Sequence, residues 1–593
     1  MTNNTPKSNK NITAITVTVA ICIILAAAAV LFSILNPDDS FDFIPSIISP
    51  QKIHYSDMEY VRPDNTVIIE NMDEIMLMID EGVSFTEQSR LFTELNENLI
   101  NFRTMLTLAE IRYYTDVTDD YYKEENELLQ LEYVGIYDKT AELLDKIAES
   151  AFKSNYERSF FGIGYFNDWE PMSRSDAASE LLEREQKLIT EYQDIIANTF
   201  VTYDGRDIYL PSEEYYSLAP EVQAELIDLY TEKYNAELGE IYVELIKLRQ
   251  DLAKEEETDY TSIAYGDLGR DYTSEEADAY IESITKVLLP KIRNYEVDLS
   301  LYDIPTDTVT SFYHLSLAAS KMGGNVEKAF DYMVKYGLYE VAISDNKQGM
   351  SFEVLLEKYY APFMFVSSTG TANDLLTYAH EFGHFADDYI TLGMSRTIDS
   401  AEIASQAMAY IVPFYSGGMG SISGDEFLKI NLYSTLEMYV SAIFVHEFET
   451  AVYALPTEEI TLEKLNSIAN DVALSLGLNE NAAESFSESW FEYQHIYIAP
   501  LYYSAYTISN DAALQVLEAE LENPLEGGIE AYLDIIDRDP SKTFVENIEA
   551  AGFESPFAEG RAEKIAELID SIFFPNEVEK VEETTVESIP NAA

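Results

Sequence analysis

The sequence has 593 residues, 47% hydrophobic and 24% charged, which suits a large globular protein and excludes a wholly disordered chain, collagen and a multi-span transporter. Against 37 Lys and Arg stand 107 Asp and Glu, a net charge of −70; such a surface repels phosphate, which argues against a nucleic-acid ligand, and attracts cationic peptides. Cys22 is the single cysteine, so intrachain disulfides and cysteine-ligated metal sites are excluded.

Residues 1–11 form a short N-terminus with Lys7 and Lys10, and residues 12–35 carry no charge. Twenty-four residues rising about 1.5 Å each reach roughly 36 Å, enough for one transmembrane helix. Basic residues before it and Asp38 and Asp39 after it place the N-terminus in the cytoplasm and the remainder outside. This predicts a single-pass signal anchor in the cell membrane; a cleaved secretory signal is the alternative and leaves the chain secreted. Residues 36–60 read as a linker, with Pro37, Pro45 and Pro50.

From 61 to 300 the pattern is helical. Leu181, Leu182, Leu188, Ile189, Tyr192, Ile195 and Ile196 form one stripe, and Val222, Leu226, Tyr230, Tyr234, Ile241, Leu245, Leu248 and Leu252 another. Both read as packing faces. Strands are expected at 338–344 and 362–366, the second an edge strand because it opens on Pro362. A turn with Gly370 follows, then a helix from about Asp374. The catalytic region is expected over 301–573, and 574–593 reads as a disordered acidic tail.

The chemistry lies in Tyr378-Ala-His-Glu-Phe-Gly-His384. On a helix, His380 and His384 stand one turn apart, so both imidazoles reach one ion. Neutral imidazoles suit zinc, which in catalytic sites takes three protein ligands and keeps one position open. Glu381 is then placed as the base that takes a proton from water. A three-histidine site would need a histidine at 390, which is Ile. Among the acids that follow, Asp387 and Asp388 come too soon on the same helix, and Glu402 is chosen as the third ligand. Asp399 is either a partner of a ligand imidazole or a helix N-cap. His446-Glu-Phe-Glu449 begins like the metal motif but has Thr450 where a second histidine would stand, and reads as structural. Gly417, Gly418, Gly420 and Gly424 read as a surface loop, or alternatively a lid.

These stretches resemble the thimet oligopeptidase/oligoendopeptidase F family of zinc metallopeptidases. The resemblance rests on Gly370-Thr371 with Asp374 before the His380–His384 motif, on Asp399-Ser-Ala-Glu402-Ile-Ala-Ser-Gln406, on Phe444-Val-His-Glu-Phe-Glu449, and on Gln494-His495-Ile-Tyr497 with Pro500-Leu-Tyr-Tyr-Ser-Ala-Tyr506. Position 387 is Asp where many members carry His. Neither an aminopeptidase-type Gly-x-Met-Glu-Asn motif nor the Gly-rich loop of thimet-type members is present, which favours the oligoendopeptidase F branch.

The resemblance implies a mainly α, zincin-like fold with a small sheet beside the active-site helix. It implies one zinc ion per chain and cleavage of internal bonds in short unfolded peptides. It assigns His495, Tyr503 and Tyr506 to stabilising the oxyanion; the two tyrosines, three apart, would share a helix face. A zinc exopeptidase and an inactive, anchored peptide-binding protein are the alternatives.

Overall fold

The structure is a computed structural model that describes residues 49–575, apart from 168, 170–174, 197–198, 211–214, 216, 302, 345, 394–396 and 540–541. The expected anchor at 12–35 and nearly all of the tail at 574–593 lie outside the described residues. Among the described residues no helix is long and apolar enough to cross a membrane.

The fold is mainly helical, as expected. The described residues divide into two compact units, each assembled from separated stretches: one from 175–274 and 439–505, the other from 49–173, 275–438 and 506–575.

In the first unit the longest helix, Pro220–Glu255, starts with proline at its first position, where no intrahelical N–H is needed. Most of its predicted stripe is the buried face: Leu226, Tyr230, Tyr234, Ile241, Leu245, Leu248 and Leu252 are buried, and Val222 in the first turn is half-buried. Burying one such side chain is worth roughly 1.5–3 kcal/mol. Helix Asp176–Ile196 buries Ile189 and Tyr192 of the other stripe. The helical expectation fails between these two helices. Strands β1 (Phe200–Tyr203) and β2 (Arg206–Tyr209) form an antiparallel hairpin. Its turn is Asp204-Gly205, with φ of 49° and 77°, the left-handed pair that a two-residue hairpin turn requires.

In the second unit helix Asn65–Glu81 is capped by the Asp64 carboxylate, which accepts from Thr66 N, and is stopped by left-handed Gly82. Helix Phe85–Thr115 reaches the sheet through Arg103, which donates twice to the Glu357 carboxylate at 2.7 Å. The sheet has three strands, β3 (Tyr339–Glu340), β4 (Phe352–Leu356) and β5 (Ala361–Phe365), in the order β3-β5-β4. The strand expected at the edge is therefore central. β3 pairs only with Met364 and Phe365, whereas β4 pairs along all of β5. Pro362 lies before β3 begins, on a stretch paired on one side, and its missing N–H breaks no ladder bond there.

Every residue of β5 is buried, and helix Asp374–Thr391 packs against it. That helix also packs on helix Ile398–Ser416 more extensively than any other two elements among those described. The approach is closest at Gly383. A Cβ there would stand 2.6 Å from Ala404 O and 2.7 Å from Ser405 Cα, so only glycine fits.

Candidate metal centre

The turn before the helix is folded by Asp374. Its carboxylate accepts from Thr369 N at 2.8 Å, Thr369 Oγ1 at 2.8 Å and Gly370 N at 3.0 Å, and Gly370 takes φ 77°. One turn into the helix, the Tyr378 hydroxyl meets Ser368 Oγ at 2.7 Å. These bonds fix where the helix begins, and hence the rotation at which it presents His380 and His384.

The two imidazoles lie with ring centres 5.2 Å apart and planes at 85°. Glu402 joins them: one donor atom from each of His380, His384 and Glu402 lies within 4.8 Å of the others. Glu402 Oε2 stands 3.6 Å from His380 Nε2 and also accepts from Ser405 Oγ at 3.0 Å. Zinc ligands at about 2.0–2.1 Å in a tetrahedron are about 3.4 Å apart, so this donor set fits such an ion and leaves a fourth position open. Among the described residues these three form the one group with that geometry.

Glu402 follows His384 by only 18 positions because only six residues join the helices: 392–397, opening on left-handed Leu392 and Gly393. Thr397 is the N-cap of the second helix, accepting from Ser400 N at 3.2 Å. The capping alternative for Asp399 is thereby excluded; it lies in the first turn, 1% exposed.

Glu381 points away from bulk solvent, 6% exposed. Burial, helped by the nearby Glu402 carboxylate, pushes its carboxyl well above the usual range, while burial favours the neutral form of His380 over the opposing pull of Glu402. A cleft of about 360 Å³ opens at His380, lined also by Asn373, Leu376, Thr377, Ala409, Asn431 and Ser434; none of its walls is acidic, despite the charge of the chain.

Asp387 is no ligand. Its carboxylate accepts from Arg538 Nη2 at 2.8 and 3.0 Å, with side-chain exposures of 0% and 5%. The Tyr532 hydroxyl donates to Gly383 O at 2.8 Å. Two residues from a distant segment thus brace the helix. Nothing local in the sequence signals them.

His495 opens a one-turn helix, His495–Ile498, in the first compact unit. Tyr503 belongs to the same unit, and Tyr506 to the second. Tyr503 lies on the turn before helix Ser504–Glu522 and Tyr506 is that helix's third residue, so the expected shared helix face does not form. Left-handed Leu501, φ 63°, is what delays the helix. His495 and Tyr503 do meet, edge to face, ring centres 5.0 Å apart. Burial lowers the His495 pKa to about 4 and raises that of Tyr503 to about 12, so both are neutral hydrogen-bond donors near pH 7.

Residues 55–175 match the sequence profile of the peptidase M3 N-terminal domain. No curated protein matches the sequence. The fold is similar to PZ peptidase A solved with an inhibitor, with TM-score 0.69 and 20% identity over 87% of this chain and 98% of that one. A structure from Bacillus anthracis str. Ames described as an oligoendopeptidase F gives TM-score 0.68 and 22% identity over 88% and 99%. A second structure so described gives 0.67 and 21% over 87% and 98%. The resemblance to the oligoendopeptidase family therefore stands on an N-terminal sequence match and on a shared fold across most of the chain.

Proposed function

We propose that this chain is a zinc metalloendopeptidase that cleaves internal bonds of short unfolded peptides. The observation that carries the reading is the meeting of His380, His384 and Glu402 with Glu381 buried beside them. Zinc is the ion proposed because two imidazoles and one carboxylate with an open fourth position are its catalytic donor set. When bound, it supplies Lewis acidity at neutral pH.

Glu381 takes the proton from the attacking water and passes it to the leaving amine; a carboxyl with a raised pKa suits both transfers. His495, Tyr503 and Tyr506 are the proposed donors to the oxyanion, worth about 2.7–4 kcal/mol each at a preorganised site. Edge strand β4, half-exposed along most of its length, is proposed to take an extended peptide by strand addition, which sets register without demanding sequence. The acidic surface favours basic peptides, a preference that salt would weaken. The charge-free segment 12–35 is proposed as an anchor that holds the catalytic region outside the cytoplasm.

The test is a mixed peptide pool, digested by the full-length chain in mild detergent and read by mass spectrometry beside the Glu381→Gln variant. Internal cuts by the wild type alone support the proposal. Single residues trimmed from one end would make it an exopeptidase. No cuts by a metal-loaded wild type would leave a peptide-binding protein.

A further inference from the structure

The His446-Glu-Phe-Glu449 stretch looks like a broken metal motif, yet its last residue has a clear partner. Glu449 is 0% exposed and accepts the Leu501 N–H at both carboxylate oxygens, 3.0 and 3.1 Å away. From the other side Arg270 donates to Leu501 O at 2.9 Å and to Tyr502 O at 3.2 Å. Leu501 is thus held by both of its peptide groups, in a left-handed conformation that costs a non-glycine residue on the order of 1–2 kcal/mol.

A third group grips the same connection upstream. Arg249, 0% exposed, donates to Ile496 O at 2.9 Å and to Tyr497 O, the orphan carbonyls at the end of the one-turn helix that His495 opens. Its remaining bonds go to Glu185 Oε1 at 2.6 Å and the Tyr453 hydroxyl at 2.9 Å. These residues come from one compact unit, so the arrangement is complete within it.

We propose that Arg249, Glu449 and Arg270 are positioning residues that hold the 496–502 backbone so that His495 and Tyr503 meet in a fixed geometry; this rests on the proposed role of those two side chains. Committing two guanidinium groups and a buried carboxyl to one loop is a poor route to stability, since apolar packing of the same volume does as well. What the three side chains supply is one conformation of a strained connection, bounded by the two proposed donors. Each end is fixed by the same clamp, so loosening it moves both rings together.

The test uses the full-length, zinc-loaded chain with Arg270→Met, Arg270→Lys and Glu449→Met. A misplacement of about 1 Å costs on the order of 100-fold in rate. For Arg270→Met, kcat is expected to fall about 10–100-fold with KM within about twofold and zinc content unchanged. Lysine, which keeps the charge but loses the two-pronged grip, recovers part of the loss. The second readout needs no activity. The chain has 6 histidines, so a histidine-labelled sample gives six imidazole signals, and His495→Gln identifies one. Arg270→Met is expected to shift that signal, which lies against the Tyr503 ring, and to leave those of His54 and His314 in place. If Arg270→Met does not fold, Glu449→Met, which removes the acceptor at similar volume, carries both readouts. An unmoved His495 signal in a folded variant overturns the clamp, as does a kcat within twofold of wild type. If no variant and no wild type cleaves peptide, the proposed function falls, and the His495 signal still decides the clamp.

Discussion

Gly383→Ala tests whether the metal geometry is set by how closely two helices approach. The added Cβ would lie 2.6 Å from Ala404 O, 2.7 Å from Ser405 Cα and 2.9 Å from Met408 Cβ, all on the helix that carries Glu402. Ordinary contact begins near 3.4 Å, so the two backbones must part by about 0.8 Å. Ligand distances tolerate about 0.2 Å, so a shift of this size pulls Glu402 out of range of an ion held by His380 and His384. Stability changes by two opposing terms. Overpacking costs about 1–3 kcal/mol, and alanine in place of a helical glycine returns about 0.8–1 kcal/mol. The melting temperature of the metal-free protein should therefore fall only modestly. Zinc affinity should fall by about 10–100-fold, the usual cost of disturbing the support of a metal site. Affinity is measured by competition with a chromophoric chelator and stability by thermal melting without metal. Gly135→Ala is the control: its Cβ meets nothing within 4 Å, so it should stabilise slightly and leave the metal alone. If Gly383→Ala binds zinc as tightly as wild type, the close approach does not set the ligand geometry, and the reasoning fails.

Arg538→Ala leaves Asp387 buried without its ion-pair partner and should destabilise the protein by about 3–5 kcal/mol in denaturant titration; the double variant Arg538→Met, Asp387→Leu should recover most of this. Burial pushes the Glu449 carboxyl from 4.5 up to about 8. The folded state therefore keeps a proton that the unfolded state releases above 4.5, and stability falls as pH rises from about 4.5 to about 8. Glu449→Gln lacks this slope, so it should gain on the wild type between pH 5 and pH 8; parallel curves would contradict the burial argument. Histidine NMR should place the His495 titration near pH 4, below an ordinary imidazole. Removing metal with a chelator should lower the melting temperature, and zinc at 100 times its dissociation constant should restore about 2.7 kcal/mol; a melting temperature indifferent to zinc would argue against the site.

The candidate metal cluster was legible because two of its residues share one helix and the third follows a short helical hairpin, all within 23 residues of chain from His380 to Glu402. The braces Tyr532 and Arg538 were not, since only folding brings them to Gly383 and Asp387. Asp204-Gly205 was a readable hairpin signal that helical periodicity on either side concealed. Pro362 was read as the mark of an edge strand; β5 is central instead, and β3 covers only its far end, which leaves Pro362 paired on one side. Tyr503 was placed on a helix that Leu501, in a left-handed conformation no local pattern announces, delays until Ser504. Glu449 was read as structural, but its partner lies 52 residues on and was invisible from its own motif.

The ion pair between Asp387 and Arg538 spans 151 residues of chain. At about 5–20 residues per second, synthesis delivers Arg538 roughly 8–30 s after Asp387. Until then the helix bearing both histidines carries an uncompensated acid on its inner face, a cost that opposes its packing against its neighbours. A nascent chain that already contains the whole HExxH motif and Glu402 therefore still lacks a brace of the candidate metal site. The brace waits on Arg538, which is synthesised 136 positions after Glu402.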